Sequence, residues 1–270
     1  MALTEFQRGV CRIIAVNRIR GGESYVAGGA ALTTVTGSTR LSRDIDLFHD
    51  SLEAVVATWE ADCRLLTAHG YTVDMRRQFP GFIEAVVTQA AEHIILQWVR
   101  DSAYRFFPLV EHVDFGLTLH PFDLAVNKVL ALVGRMEPRD WIDLLQCHHG
   151  IQRLGLLVWA GCGKDPGLSP RFILEQAARS AHYSQAEIDK LEFAGLPPDA
   201  AALSHQWQAM LAEARIIVDT LPAEQAGKCV LTHAGGLFSG DLGALRSALA
   251  QDELLFHEGA IRGALPRMVA

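Results

Sequence analysis

The sequence has no pair of cysteines spaced C-x-x-C, no even number of them, no uninterrupted apolar run of about 18 residues and no surplus of positive charge. Each absence closes off a class. The five cysteines, Cys11, Cys63, Cys147, Cys162 and Cys229, are widely scattered, which argues against a disulfide framework or a thiolate zinc site and predicts reduced thiols. Without a long apolar run there is no candidate for a membrane-spanning helix. Acidic residues number 31 against 24 basic ones, a net charge of −7, so the whole molecule carries no nucleic-acid signature. A local basic patch stays open. The opening stretch MALTEFQRGVCRIIAVNRIR breaks its apolar positions with charge and lacks a secretory layout. These features together predict a cytoplasmic protein. No internal repeat or low-complexity tract is visible. What remains is a globular composition, half hydrophobic and a fifth charged, over 270 residues: one large domain or two modest ones with a real core.

The patterning changes partway along. Residues 4–20 read as an amphipathic helix capped by Thr4, SYVAG (24–28) as a short strand, and GGAALTTVTG as a tight turn opening a short helix. DIDLF (44–48) is a strand, and residues 51–70 form a helix with Ser51 as N-cap and Gly70 as its stop. YTVDMRRQ, FIEAVVTQ and EHIILQWV are strand-like runs joined by short turns. Beyond about residue 119 the strand patterns nearly vanish. PFDLAVNKVLALVGR (121–135) and EPRDWIDLLQCHHG (137–150) are helices with prolines at their starts, and residues 151–221 continue as helices. The last 45 residues are the least readable. The expectation is an α+β domain with a small mixed sheet over residues 1–120, then a helical domain over 121–270.

The chemistry concentrates in SRDIDLFHD (42–50). Asp44 and Asp46 alternate on a strand, so both carboxylates point to one face, where they repel each other and resist desolvation. A glycine pair, Gly28-Gly29, lies upstream between a strand and a helix. Glycines there let a ligand approach the backbone, and the free N–H groups of a helix start suit a phosphate. Magnesium takes hard oxygen ligands, often one or two carboxylates plus substrate phosphates. Two same-face carboxylates beside a phosphate-binding turn therefore read as a metal–triphosphate site, with Ser42 near the phosphates.

GGAAL…RLSRDIDLF resembles the first motif of the DNA-polymerase-β-like nucleotidyltransferases, and its Ser-x-Asp-Ile-Asp-Leu-Phe form looks most like the AbiEii-type nucleotidyltransferases, the toxins of bacterial type IV toxin–antitoxin systems. A second segment, DLAVNKVLALVGRMEPRDWIDLLQC, resembles that family's helical motif, and SPRFILEQAARSAHYS has a similar look. The likeness spans roughly residues 24 to 185. It implies a polymerase-β-like fold and Mg²⁺-dependent transfer of a nucleotide monophosphate from a nucleoside triphosphate to an acceptor hydroxyl, at a tRNA 3′ end or on a protein side chain. It also implies a toxin with a cognate antitoxin. By the same resemblance Gly28, Gly29, Ser42, Lys128 and Arg135 bind the nucleotide, Asp44 and Asp46 hold the metal, and Asp44, Asp46, Lys128 and Asp140 are catalytic. Lys128 and Arg135 lie seven apart and share a helix face with Asn127 adjacent, while Asp140 and Asp143 are i, i+3 neighbours. Asp143 is expected as the more structural partner and Arg139 as a phosphate or carboxylate partner. Enzymes of this superfamily usually carry a third carboxylate on a nearby strand. The expected position holds Gln97, with Glu92, Asp101 and Asp114 as other candidates. Two alternatives stay open: a small-molecule nucleotidyltransferase of the same fold, and a nucleotide-binding module without catalysis.

Three tempting motifs carry less. Cys147, His148 and His149 are consecutive on a helix and point apart, which argues against zinc. GCGKDPG (161–167) lacks the P-loop pattern and reads as an interhelical loop. RDSAYRFFP (100–108) could stack bases but reads better as a core-lining turn.

Overall fold

The structure is a computed structural model that describes residues 3–179 and 183–267. The chain forms two compact units. The first takes the chain up to Ala103 together with Leu109–His120, and the second takes Tyr104–Pro108 with the chain from Pro121 onward.

The first unit opens with α1 (Glu5–Gly21), started by a reciprocal cap in which the Thr4 side chain accepts from the Gln7 amide and the Gln7 side chain returns the bond. Then come β1 (Ser24–Ala27), α2 (Gly28–Thr36), β2 (Asp44–His49) and α3 (Leu52–Ala68), whose N-cap is Ser51. Three long strands follow, β3 (Thr72–Phe79), β4 (Phe82–Gln89) and β5 (Glu92–Arg100). After the two-residue β6 (Tyr104–Arg105) of the second unit come β7 (Val110–His112) and β8 (Gly116–Thr118). The seven-stranded sheet runs β3-β4-β5-β2-β1-β8-β7, with β2 parallel to β5 and β1 parallel to β8, and the other pairs antiparallel. It is a mixed sheet, as the sequence predicts, but β7 and β8 are too short to show the period-two pattern and escape a sequence reading.

Alternation explains how the sheet divides its faces. Ile45 and Leu47 of β2, Leu96 and Trp98 of β5 and Ala85 of β4 are all fully buried on one face. Complete burial of an aliphatic side chain such as Ile45 contributes about 2 kcal/mol. α3 covers that face: Trp59 meets the Trp98 ring edge-on at 4.8 Å between centroids, and the Trp98 indole donates to Asp62 at 3.0 Å. Asp44 and Asp46 alternate with Ile45 and Leu47, so they stand on the opposite face and stay half-buried.

The second unit contains α4 (Pro121–Arg135), α5 (Pro138–Gly150), α6 (Leu154–Lys164), α7 (Pro170–Arg179), α8 (Gln185–Ile188) and α9 (Ala200–Thr220), then β9 (Cys229–Thr232), α10 (Leu242–Ala250), β10 (Leu254–His257) and β11 (Ala260–Ile261). Residues 180–182 of the SPRFILEQAARSAHYS segment lie outside the described residues. α6 is apolar on every side and buried from Leu154 through Gly161, as a central helix must be. Gly155 lets it meet α9 closely, since a Cβ there would stand 2.7 Å from Ile217. The sequence expectation needs correction in three places. GCGK is the last turn of α6, where Gly163 lies against the Gly227 carbonyl, and only the residues after Lys164 form a loop. The C-terminal segment is not purely helical: β9 pairs antiparallel with β10, and β11 with β6. The RDSAYRFFP segment also crosses units. Asp123 accepts from the backbone N–H groups of Phe106 (2.9 Å) and Phe107 (3.0 Å) and pairs with the Lys164 ammonium at 2.7 Å, which anchors residues 104–108 in the second unit. Phe106 and Phe107 are buried there, as a core-lining turn requires.

Candidate functional site

In the first unit, β1 is buried throughout and ends where Gly28 turns the chain into α2. Gly28 adopts φ +69°, a conformation that costs an L side chain energy. Ala27 pairs with Asp46 across β1 and β2, which brings the Asp46 side chain to this turn. A Cβ on Gly28 would stand 2.0 Å from Asp46 Oδ2, so the carboxylate lies directly over the bare α-carbon. The start of α2 has no side-chain cap and no acidic residue in its first turn. Its N–H groups and dipole are the kind that accept an anion.

The residues before β2 complete the arrangement. Ser42 Oγ donates to Asp44 Oδ1 at 3.1 Å, and Gln7 of α1 holds the Ser42 carbonyl at 3.1 Å. A Cβ on Gly29 would meet Arg40 Nη2 at 2.9 Å and Ser42 Oγ at 3.0 Å. Arg40 is 4% exposed, and its Nη1 donates to the Leu41 carbonyl. The structure thus gathers Gly28, Gly29, Ser42, Asp44 and Asp46, and adds Arg40, a buried cation beside the glycine turn. The sequence held a signal for it: positions 40, 42, 44 and 46 alternate on an extended chain and carry Arg, Ser, Asp and Asp.

The same face continues across the sheet. Gln97 of β5 pairs with Asp46, Glu84 of β4 pairs with Gln97, and Arg77 of β3 pairs with Glu84 beyond a bulge. Gln97 Nε2 donates to Glu84 Oε2 at 2.8 Å, and Arg77 Nε lies 3.4 Å from Glu84 Oε1. Glu92 sits at the exposed start of β5, about 17 Å along the strand from Gln97 at a strand's usual rise. Asp101 lies beyond the strand's other end, its carboxylate accepting from the Ser102 amide. Asp114 is bound by Arg12 at 2.7 Å in the β7–β8 turn. Neither they nor Glu92 stand in the Asp46 row, where the acid is Glu84. Two carboxylates suit magnesium, which needs few charged ligands when phosphates complete its shell. Among the described residues no group of three or more His, Cys, Asp or Glu is arranged to hold a metal ion by itself.

In the second unit, Lys128 and Arg135 of α4 face Asp140 and Asp143 of α5. Lys128 Nζ lies 2.9 Å from Asp140 and 3.0 Å from Asp143, and Arg135 meets Asp140 through Nε (2.6 Å) and Nη2 (2.9 Å). Lys128 is 6% exposed, Asp140 0% and Asp143 1%, whereas the Arg135 side chain is 47% exposed. Burial opposes the charge on Lys128, yet Asp143 and Asp140 raise its pKa above the usual lysine value. Burial also opposes the charge on Asp140, but Arg135 and Lys128 hold its carboxyl below the ordinary range. Asn127 accepts from Lys164 at 2.8 Å, and Arg139 Nε is buried with no hydrogen-bond partner.

The Gly28 turn yields a paired prediction. Gly28→Ala adds a Cβ into the Asp46 carboxylate and forces it to move, whereas Gly37→Ala at φ +65° meets nothing within 4 Å. Both variants lose about 1–2 kcal/mol from the left-handed backbone. Only Gly28→Ala lowers the activity that depends on this site, by about 100-fold, the cost of a misplacement near 1 Å. Thermal melts and initial rates on both variants check this, and equal rates would sever the link between the turn and Asp46.

Comparison with known proteins bears on the family and the fold. A family model described as Nucleotidyl transferase AbiEii toxin, Type IV TA system, matches residues 21–223. Among solved structures the chain is similar to MenT4, a nucleotidyltransferase toxin from Mycobacterium tuberculosis H37Rv, at 16% identity and a TM-score of 0.54, covering 81% of this chain and 83% of that one. It also matches JHP933 from Helicobacter pylori at 13% identity and a TM-score of 0.48, over 80% of this chain and 94% of that one. No curated protein matches significantly. The match to the family model covers most of the chain, including the glycine turn, the Asp44–Asp46 strand and the α4–α5 charge network, and the chain therefore belongs to the AbiEii family of nucleotidyltransferase toxins from type IV toxin–antitoxin systems.

Proposed function

We propose that this nucleotidyltransferase moves a nucleoside monophosphate from a nucleoside triphosphate to an acceptor hydroxyl, with Mg²⁺ held by Asp44 and Asp46. The acceptor is the 3′ end of a tRNA or a protein side chain, and the resulting block on translation is what a cognate antitoxin restrains. One observation carries the reading. Asp46 lies over Gly28 at the uncapped start of α2, and Asp44 stands two residues away on the same half-buried face. Cation and phosphate sites are thereby adjacent within one unit.

The residues have distinct tasks. The Gly28–Gly29 turn presents N–H groups to the phosphates, and Ser42 orients Asp44 through its hydroxyl. Arg40 adds fixed positive charge beside the turn. The bound ion supplies Lewis-acid stabilisation of charge developing on the phosphates. The acceptor oxygen forms a bond to the α-phosphorus as the bond to the β-phosphate oxygen breaks, pyrophosphate leaves, and the hydroxyl proton passes to solvent water. In the second unit, we take Asp140 to be needed for activity because it holds the Arg135 guanidinium in place, with Lys128 bracing both aspartates.

The test is to incubate the protein with each α-³²P-labelled nucleoside triphosphate, Mg²⁺ and either total RNA or a protein extract, with EDTA as control. Metal-dependent label on RNA or on a protein band supports the reading. Label on small molecules alone, the outcome an acidic surface favours, replaces the acceptor class. Nucleotide binding with no transfer to any acceptor overturns the reading.

A further inference from the structure

The row Asp46–Gln97–Glu84–Arg77 runs across four neighbouring strands on the face that carries Asp44. Its chemistry is unusual for a half-buried sheet face. Glu84 has 13% side-chain exposure and is turned toward Gln97 rather than toward solvent. An amide side chain has two edges that are normally hard to tell apart. Here the neighbour decides. A carboxylate accepts only, so the Gln97 NH₂ must face Glu84, and the carbonyl oxygen Oε1 is fixed on the edge away from it. β5 has two neighbours in the sheet, β4 with Glu84 and β2 with Asp46. Adjacent strands stand about 4.8 Å apart, within reach of a glutamine side chain.

We infer that Gln97 contributes its carbonyl oxygen to the cation site at Asp44 and Asp46, and that Glu84, steadied by Arg77, is the positioning residue that fixes the amide in that orientation. The inference rests on the proposed metal–nucleotide reading and deepens it. A glutamine carbonyl is an accepted hard-oxygen ligand for divalent cations. It adds coordination without a third negative charge next to an already anionic triphosphate. Free cation binding is therefore weak, and the ion is held well only together with nucleotide. A carboxylate one strand away, in turn, serves orientation and not charge.

A reciprocal swap separates this role from a merely structural hydrogen bond. Mn²⁺ binding, followed by electron paramagnetic resonance with and without a non-hydrolysable nucleoside triphosphate, is the readout, with circular dichroism melts to confirm folding. Gln97→Leu weakens Mn²⁺ binding in the presence of nucleotide about tenfold, and Glu84→Gln, which leaves the amide free to flip, weakens it severalfold. The double variant Glu84→Gln/Gln97→Glu keeps an amide–carboxylate bond between β4 and β5 but moves the charge beside Asp46. It binds free Mn²⁺ about tenfold more tightly than the wild type. Unchanged affinity in all three variants, while Asp44→Asn abolishes binding, overturns the role of Gln97 and leaves the metal reading standing. Wild-type protein that takes up no Mn²⁺ even with nucleotide defeats the metal reading and the inference together.

Discussion

Asp44→Asn and Asp46→Asn each lower nucleotide transfer by about 10³-fold or more, equivalent to about 4 kcal/mol of transition-state stabilisation, and leave the thermal midpoint unchanged or slightly raised. The two carboxylates occupy one face of β2, separated only by Ile45, and both are half-buried, so two like charges stand close together where water reaches them only in part. Asparagine keeps the shape, and at position 44 it keeps an acceptor for the Ser42 hydroxyl. The fold therefore loses little; exposed and half-exposed substitutions of this kind fall within about 0.5 kcal/mol. Activity has no such cushion. With few charged ligands available, one carboxylate lost is half the protein's charge at the cation. Asp46→Asn adds a second defect, since it changes the group lying on Gly28 at the start of α2. On the proposed reading both residues serve one ion, so the double variant falls little below either single one. Initial rates over a Mg²⁺ titration, with melts alongside, check this. Retention of a tenth of the wild-type rate by Asp44→Asn at saturating Mg²⁺ sinks the metal assignment.

How much of this was legible in the sequence follows from the range of each interaction. The glycine turn, the Asp-x-Asp strand and the caps Thr4 and Ser51 are local patterns, so they read directly. Mixed α+β architecture followed from the same local periods. Glu84 did not read, because its place beside Gln97 depends on β4–β5 register, and a hairpin's register is set jointly by turn and packing. Arg40 lies outside the strand itself, so only the alternation of Arg40, Ser42, Asp44 and Asp46 signals it. Residues 104–108 read as a core-lining turn, but their allegiance to the second unit rests on Asp123, which is 15 or more positions away along the chain. The short strands β6 to β11 have two to four residues each, too few for any period to emerge.

The second strong prediction falls on the α4–α5 charge network. Asp140 is fully buried and takes three hydrogen bonds from two cations. Removing one partner from a buried ion pair leaves the other charge uncompensated and costs about 3–5 kcal/mol. The Arg135 half contributes little, being nearly half exposed and screened. The Lys128 half dominates, although Asp143 still meets that ammonium at 3.0 Å and limits the loss. Asp140→Asn is therefore expected near 3 kcal/mol and Asp140→Ala somewhat above it, a drop of about 10 °C in melting temperature for a unit of this size. Asp143→Asn costs less, since Lys128 then keeps Asp140. The pH dependence has a definite sign. The Asp140 carboxyl is held below its ordinary value, so its contribution is present above the unfolded carboxylate pKa and is lost as pH falls through the lower folded one. The Lys128 pKa is raised, so its contribution is present below the ordinary lysine value and is lost only as pH rises through the higher folded one. Between those limits, through the whole neutral range, the network is pH-independent. Urea midpoints measured from pH 3 to 11 should show Asp140→Asn and wild type separated by a constant gap near neutrality that narrows at the acid end. A gap that instead grows on acidification would mean that Asp140 is protonated in the native state and that the network is not an ion pair. Assayed well below its melting point, Asp140→Asn is expected to lose transfer activity along with Arg135→Gln, and the double variant to lose no more than either, because Asp140 holds the Arg135 guanidinium in place.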